Sequence, residues 1–194
     1  VDWQRFLFWQ KGEVFVVLDR ATAREDSHYD LDLVWKMEDR GDWRLSAESG
    51  FTLQRPAPES DGSAPRFCIR WPDAGTVNVT RSHPKGIAVP VLKVHQRRSV
   101  RLKQGGTAEF ANLLYTAAGE EAAGWDVQAL APGAVLVHTS EDAVCAVRGA
   151  RIGGLTFDAD MLYVSPSRIA WAKGRSVALG QASLRTGEAN GLEM

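Results

Sequence analysis

The sequence has few of the residues and motifs that usually indicate a catalytic activity. Only two cysteines, Cys68 and Cys145, occur in 194 residues, and their separation fits neither a zinc-binding spacing nor a disulfide framework. We interpret both as small buried side chains. The sequence also lacks a Gly-x-Ser-x-Gly motif, a phosphate-binding glycine loop and a Cys/His nucleophile pattern. It therefore predicts no nucleotide site and marks out no nucleophile.

Charge of one sign and long apolar runs are also lacking. The chain has 23 basic and 24 acidic residues and a formal net charge of −1, so no strong overall field would collect nucleic acid or an anionic membrane. No apolar run reaches the roughly 18 residues of a membrane span, and no signal segment opens the sequence. Because the chain starts at Val1 and enters a strand-like segment directly, we expect a fragment or processed product of a longer protein.

The sequence is rich in β-strand patterns. Residues 6–9 and 14–18 are aromatic and β-branched runs around a short polar loop, which predicts a β-hairpin at the centre of a core. The charged residues Asp19 and Arg20 would end its second strand. Residues 27–37 alternate between apolar and polar side chains, which is typical of an antiparallel strand with one wet face.

Further strands follow at even spacing. Residues 66–71 and 76–80 bracket a Pro/Gly turn and predict a second hairpin, and residues 89–94 and 99–103 predict two separate strands. Residues 105–124 fit either a helix or a strand, and the β character of their surroundings favours a strand at 110–116. The pattern predicts an all-β fold, a large antiparallel multi-stranded β-sandwich over residues 1–180 with a poorly ordered tail over 181–194.

Three groups of polar or basic residues are candidates for a site. His28, Asp30 and Asp32 share the wet face of one strand and could hold a divalent cation or contact sugar hydroxyls, although any solvated strand face has this pattern. His83, in a polar loop, could act as an acid or base. The densest basic cluster contains Arg97 and Arg98, which could meet an anionic polymer or simply form a solvated strand face.

Tryptophan is abundant, with seven in the chain. Its ring is a good core filler and also a good stacking surface for sugars. Trp43, Trp71 and Trp125 stand at predicted strand edges, so we consider them candidates for exposed sugar contacts.

The chain resembles the C-terminal β-sandwich region of heparinase II/III-like polysaccharide lyases. The matching pattern comprises residues 2–9, Gly12, residues 14–20 and the strand at 29–35. The segments at 105–115 and 159–174 are similar to a later strand and to the closing hairpins of that sandwich.

The resemblance implies a parent enzyme that is bacterial in type, exported to the periplasm or outside the cell, and active on uronic-acid polysaccharides by β-elimination. It implies a polysaccharide substrate, a divalent cation in the parent protein and an α-helical toroid on the same or a second chain. The family's toroid tyrosine and His-x-His-x-Asp-type motif have no counterpart here. We therefore expect catalytic residues mostly outside this chain and an inactive isolated chain.

A second hypothesis is an independent, non-catalytic carbohydrate-binding or interaction sandwich. The lyase hypothesis predicts a broad apolar patch where a toroid docks, whereas the binding hypothesis predicts a closed sandwich with an aromatic platform. A third possibility is catalysis within this chain by His83 or by the row that contains His28.

Overall fold

All regular structure that we describe is β-strand. The computed structural model describes residues 1–10, 14–46, 50–54, 65–117, 125–131, 134–138, 143–147, 151–152, 155–158, 161–165, 168–172, 174, 176–179 and 182–185. Its sheets are antiparallel, which confirms the predicted all-β antiparallel sandwich. Across these ranges, no helix is long and apolar enough to cross a membrane. The chain divides into two compact units, Val1–Ala122 and Ala123–Met194.

The first unit contains a six-stranded and a three-stranded sheet. The six-stranded sheet has the order β1 (Asp2–Gln10), β2 (Val14–Thr22), β9 (Thr107–Ala117), β6 (Arg66–Arg70), β5 (Gly50–Gln54) and β4 (Asp42–Ser46). The three-stranded sheet has the order β3 (Ser27–Glu38), β8 (Val91–Leu102) and β7 (Thr76–Ser82).

The two sheets of the first unit pack face to face. In one cluster Phe51, Ile69 and Trp71, from the larger sheet and its edge, contact Leu92 and Val94 from the smaller. A second cluster joins Ala21, Ala108 and Phe110 of the larger sheet to Leu31 and Leu33 of the smaller. Burial of apolar side chains from both inner faces therefore holds the sandwich together.

A buried amide pair also crosses this core. Gln96 Nε2 donates to Asn112 Oδ1 at 2.5 Å, and Asn112 Nδ2 donates back to Gln96 Oε1 at 3.2 Å. Gln96 is 0% and Asn112 1% exposed. Because each amide satisfies the other, the pair avoids the cost of an unpaired buried polar group.

The predicted first hairpin is present as β1 and β2, paired from Asp2↔Thr22 to Gln10↔Val14. Its two strands differ in position, because β1 is the edge of the sheet and β2 lies between β1 and β9. The expected end of β2 at Asp19 and Arg20 was wrong. The strand continues to Thr22, and Asp19 is completely buried.

The predicted hairpin between residues 66–71 and 76–80 was also wrong. β6 pairs with β5 and β9, whereas β7 pairs with β8. Residues 71–75 instead carry the chain from one sheet to the other, with Trp71 in the core. The corner is tight: Gly75 has φ 68° and its amide donates to Asp73 Oδ1 at 3.0 Å. A Cβ at Gly75 would lie 2.3 Å from the carbonyl oxygen of Arg97.

Two other predicted segments have clear outcomes. The strand favoured within residues 105–124 is confirmed as β9, Thr107–Ala117. The two strands predicted at 89–94 and 99–103 are one continuous strand, β8. The polar residues between them fit inside a strand because Gln96 pairs with Asn112, and the Arg98 guanidinium lies 5.2 Å from the centre of the Phe110 ring.

The second unit contains two further antiparallel sheets. One has the order β10 (Asp126–Ala131), β11 (Ala134–His138), β12 (Ala143–Val147), β15 (Met161–Ser165) and β16 (Arg168–Ala172). The other has the order β13 (Arg151–Ile152), β14 (Leu155–Asp158), β17 (Ser176–Leu179) and β18 (Ala182–Arg185).

The predicted division into a domain at 1–180 and a tail at 181–194 stays a prediction, and β18 lies inside that tail. The sequence also predicts turns at 132–133, 140–142 and 148–149 and a loop at 55–65. The turns and most of the loop lie outside the described residues. Of the two cysteines, Cys68 is buried and free, and the side chain of Cys145 lies outside the described part of the chain.

Candidate functional site

The outer face of the three-stranded sheet is strongly polar. Alternation along the strands places every second residue on this face, away from the core. We call it the polar face and define it by residues His28, Asp30, Asp32 and Lys36 of β3, Lys93, His95, Arg97, Ser99 and Arg101 of β8, and Thr76, Asn78 and Thr80 of β7. The strand register places Asp32 opposite Arg97, and Asn78 opposite His95.

Asp32 organises the middle of the polar face. Its Oδ2 accepts a hydrogen bond from Arg97 Nε at 3.0 Å and lies 3.0 Å from His95 Nδ1. The Asp32 side chain is 36% exposed, Arg97 53% and His95 13%. One oxygen of this carboxylate is therefore shared between a solvated guanidinium and a largely buried imidazole.

The second ring nitrogen of His95 has a hydroxyl partner. His95 Nε2 lies 3.1 Å from Thr80 Oγ1, and the Thr80 residue is exposed. With Nδ1 donating its proton to Asp32, Nε2 is left as the acceptor for the Thr80 hydroxyl. The Asp32, His95 and Thr80 side chains form a continuous carboxylate, imidazole and hydroxyl chain, which we call the relay.

A second cluster lies further along the same face. Ser99 Oγ donates to Asp30 Oδ1 at 2.6 Å and lies 2.7 Å from His28 Nε2. Here the hydroxyl sits between the imidazole and the carboxylate, so its proton is held by Asp30. This cluster has the same functional groups as the relay, a carboxylate, an imidazole and a hydroxyl, in a different order.

The predicted cation row is split between these clusters. Asp32 is engaged with His95 and Arg97, while His28 and Asp30 share Ser99. Over the residues that the structure describes, no group of three or more His, Cys, Asp or Glu side chains could hold a metal ion. A guanidinium on Asp32 also competes with any cation for that carboxylate, so the geometry does not support the predicted metal site.

The predicted arginine pair is separated by the sheet. Arg97 belongs to the polar face, whereas Arg98 points inward, stacks over Phe110 and donates from a terminal nitrogen to the Asp73 carbonyl oxygen at 2.7 Å. Adjacent residues of a strand face opposite sides. Of this pair, Arg97 is placed to meet a ligand on the polar face, and Arg98 stabilises the corner between the sheets.

The three candidate tryptophans differ in exposure. Trp43 is 42% exposed and stacks at 6.2 Å on Phe51. Trp71 is 1% and Trp125 9% exposed, so neither presents a broad ring face to solvent. Only Trp43 of these candidates retains the exposure that sugar stacking needs.

His83 lies exposed in the loop between β7 and β8. Within the described ranges it makes no hydrogen bond or ion pair with another side chain. Nothing in the described structure orients its imidazole, in contrast to the two oriented nitrogens of His95. The sequence pattern alone predicts that His95, within a strand, is a packed residue, and it does not reveal the partners of the two nitrogens, because Asp32 lies 63 positions and Thr80 15 positions away.

An exposed apolar surface lies on β1 and β2. Trp9 and Phe15 face each other across the strands and stack at 5.3 Å with an interplanar angle of 3°, and they are 58% and 43% exposed. Leu7, two residues before Trp9, is 64% exposed. Large apolar side chains that are exposed together in this way are candidates for ligand or protein contact.

Comparison with known proteins gives no assignment. No family model matches the chain, and neither a curated protein nor a solved structure matches it.

Proposed function

We propose that the chain is the β-sandwich segment of a heparinase II/III-like polysaccharide lyase and that it binds a uronic-acid polysaccharide along the polar face. In this proposal the β-elimination chemistry belongs mostly to residues outside the chain, in an α-helical toroid on the same or a second chain. The parent enzyme would be exported, with a divalent cation among its components. The support is the resemblance in strand pattern together with the polar face itself.

The single observation that carries the proposal is the basic row on β8. Lys93, Arg97 and Arg101 stand at every fourth position on the outer face of one strand, with His95 between the first two and Ser99 between the last two. A strand rises by about 3.4 Å per residue, so Lys93 and Arg101 are about 27 Å apart. A row of this length suits an extended polymer better than a small molecule.

Local charge makes this face suitable for carboxylates although the whole chain is nearly neutral. Lys36 lies opposite Lys93, which doubles the positive charge at one end of the row. Arg97 keeps an exposed guanidinium that Asp32 holds through Nε. A guanidinium held in one orientation recognises a carboxylate with less loss of side-chain entropy than a free one.

Binding to two matched polymers tests the proposal. We expect the chain to bind polygalacturonate and to bind its fully methyl-esterified form much more weakly, since the ester removes the charge. The Lys93→Gln/Arg101→Gln variant should lose up to about thirtyfold in affinity for polygalacturonate, because each of the two exposed charge contacts supplies up to about 1 kcal/mol. Titration calorimetry at low and high salt measures both effects.

Arg44→Gln is the matched control, because Arg44 is an exposed arginine on β4 of the other sheet. It should bind polygalacturonate as the unaltered chain does. Equal affinity for the charged and esterified polymers, or equal losses in the Arg44 and row variants, would overturn the proposal. Release of unsaturated uronate by the isolated chain, followed by ultraviolet absorbance, would show that the catalytic groups are inside it.

A second candidate function is an independent carbohydrate-binding sandwich, favoured by the coplanar Trp9 and Phe15 rings. Such an aromatic surface suits the apolar faces of neutral sugar rings. In that case the esterified polymer should bind as well as the charged one, and Trp9→Ala should abolish binding while the row variant has no effect.

A further inference from the structure

The relay on the polar face has the arrangement of an activated nucleophile. The requirement for such a site is a hydroxyl within hydrogen-bond reach of a base, with the base oriented by a third group. Thr80 Oγ1 lies 3.1 Å from His95 Nε2, and His95 Nδ1 lies 3.0 Å from Asp32 Oδ2. Residues from three adjacent strands, β7, β8 and β3, meet here in the order hydroxyl, imidazole, carboxylate.

The environment of each member suits this role. The His95 side chain is 13% exposed, so packing limits its rotation, whereas the Thr80 residue is exposed and open to a substrate. Asp32 Oδ2 also accepts a hydrogen bond from Arg97 Nε at 3.0 Å, which helps to hold the carboxylate in place. Lys93 lies directly opposite Thr80 in the register, where an ammonium can stabilise an oxyanion that forms near the hydroxyl.

The second cluster shows why the order of the groups matters. Ser99 Oγ donates its proton to Asp30 at 2.6 Å and meets His28 at 2.7 Å. The Asp30 carboxylate therefore accepts the hydrogen bond of the hydroxyl and does not orient the imidazole through its other nitrogen. The same three functional groups form a relay that ends in an exposed hydroxyl at Thr80, whereas the Ser99 hydroxyl lies between its two partners.

We propose that Thr80 is the nucleophile of a hydrolytic site for small acyl esters, with His95 as its general base and Asp32 as a positioning residue. The site goes beyond the proposed polysaccharide binding and does not depend on it. The open sheet face has room for an acyl group carried by an extended polar molecule, and the reaction needs only water besides the ester.

The reaction balances in two steps. The Thr80 oxygen bonds to the ester carbonyl carbon while its proton passes to His95 Nε2, and the alcohol then leaves with that proton, which breaks the ester C–O bond. Water next attacks the acyl-threonine and gives a proton to His95, and the Thr80 oxygen leaves with it. The products are a carboxylic acid and an alcohol, and the side chains return to their starting state.

Acetylation by p-nitrophenyl acetate tests the proposal. We expect release of p-nitrophenolate together with an acetyl group on the peptide that contains Thr80, detected by mass spectrometry. Thr80→Val should abolish this adduct, and His95→Gln should slow its formation by at least about 100-fold, the usual contribution of a positioned base. Thr80→Ser should retain it. Valine fits an exposed strand position, so the Thr80→Val variant should fold.

The role of Asp32 needs a separate readout. Asp32→Asn should lower kcat for p-nitrophenyl acetate and leave KM nearly unchanged, because a positioning residue does not touch the ester. Asp32→Glu should restore part of the rate. A variant that has a lower melting temperature but an unchanged kcat would contradict the positioning role.

Two controls separate the relay from general imidazole reactivity. Ser99→Ala removes the other hydroxyl that contacts a histidine, and His83→Asn removes an exposed histidine without an orienting partner. Both should leave the Thr80 adduct unchanged. An adduct that persists in Thr80→Val, or that never forms on the unaltered chain, would overturn the proposal. Polygalacturonate binding by the unaltered chain shows independently whether the proposed function stands.

Discussion

Asp19 and Asp32 are two carboxylates with similar partners and different surroundings. Asp19 Oδ1 accepts from Trp3 Nε1 at 2.9 Å and from Arg5 Nε at 2.8 Å, and Oδ2 accepts from an Arg5 terminal nitrogen at 3.0 Å. Asp32 likewise meets one arginine and one ring nitrogen. Asp19 is 0% exposed at the sandwich interior, whereas Asp32 is 36% exposed on the polar face.

Burial separates the two carboxylates, although both bind an arginine and a ring nitrogen. At Asp19 both oxygens are used inside the protein, and the guanidinium of Arg5 also lies 5.4 Å from the centre of the Trp35 ring. At Asp32 the arginine and the hydroxyl beyond the imidazole both reach solvent. We therefore predict that the first carboxylate stabilises the fold, whereas ligand chemistry at the second is the proposal made above.

The largest expected effect is on stability at Asp19. Asp19→Ala should lower the free energy of unfolding by about 3 kcal/mol, because it leaves the Trp3 and Arg5 donors without their buried acceptor. Urea denaturation measures the change. Asp2→Ala, which removes the exposed partner of Arg24, is the control and should have little effect. Equal losses in the two variants would remove the distinction between the carboxylates.

An intermediate effect is expected at Tyr115, a buried ionisable group on the same large sheet. Burial raises the pKa of Tyr115 to about 12, and the neighbouring Cys68 thiol acts in the same direction. The unfolded chain therefore loses this proton first as pH rises above about 10, its ordinary pKa, and stability falls between that pH and 12. The loss at pH 11 should be roughly 1 kcal/mol.

Tyr115→Phe separates this contribution from other alkaline titrations. The fall in unfolding free energy between pH 9 and 11 should be smaller in the variant by that amount, measured by urea denaturation at each pH. Parallel curves for the two proteins would show that the phenol is solvated. Such a result would mean that a buried position on this sheet does not make an ionisable group important for stability.

The smallest expected effect on stability is at Asp32. Asp32→Ala should cost less than about 1 kcal/mol, since exposed ion pairs contribute little after solvent screening. A double-mutant cycle with Arg97→Ala measures the coupling directly. A cost as large as that of Asp19→Ala would mean that the polar face is structural, and the assignment of ligand chemistry to it would fail.

Much of the fold could be predicted because local patterns report strands well. The alternation at residues 27–37 correctly separated Leu31 and Leu33, which are buried, from Asp30 and Asp32, which are exposed. The run at 14–18 correctly indicated an internal strand, β2, in which Val14, Val16 and Val17 are buried although Phe15 is exposed. The equally apolar β1 is an edge strand with Trp9 and Leu7 exposed, and composition alone does not reveal how many neighbours a strand has.

The sequence by itself determined the all-β class, the strands and the wet face of β3, because these follow from side-chain periodicity within a few residues. Only the tertiary structure decided which strands pair, that residues 71–75 cross between sheets, and that Arg97 and Arg98 serve opposite faces. It also brought Thr80 and Asp32 to the two nitrogens of His95. Contacts between distant positions depend on sheet order and register, which no local pattern encodes.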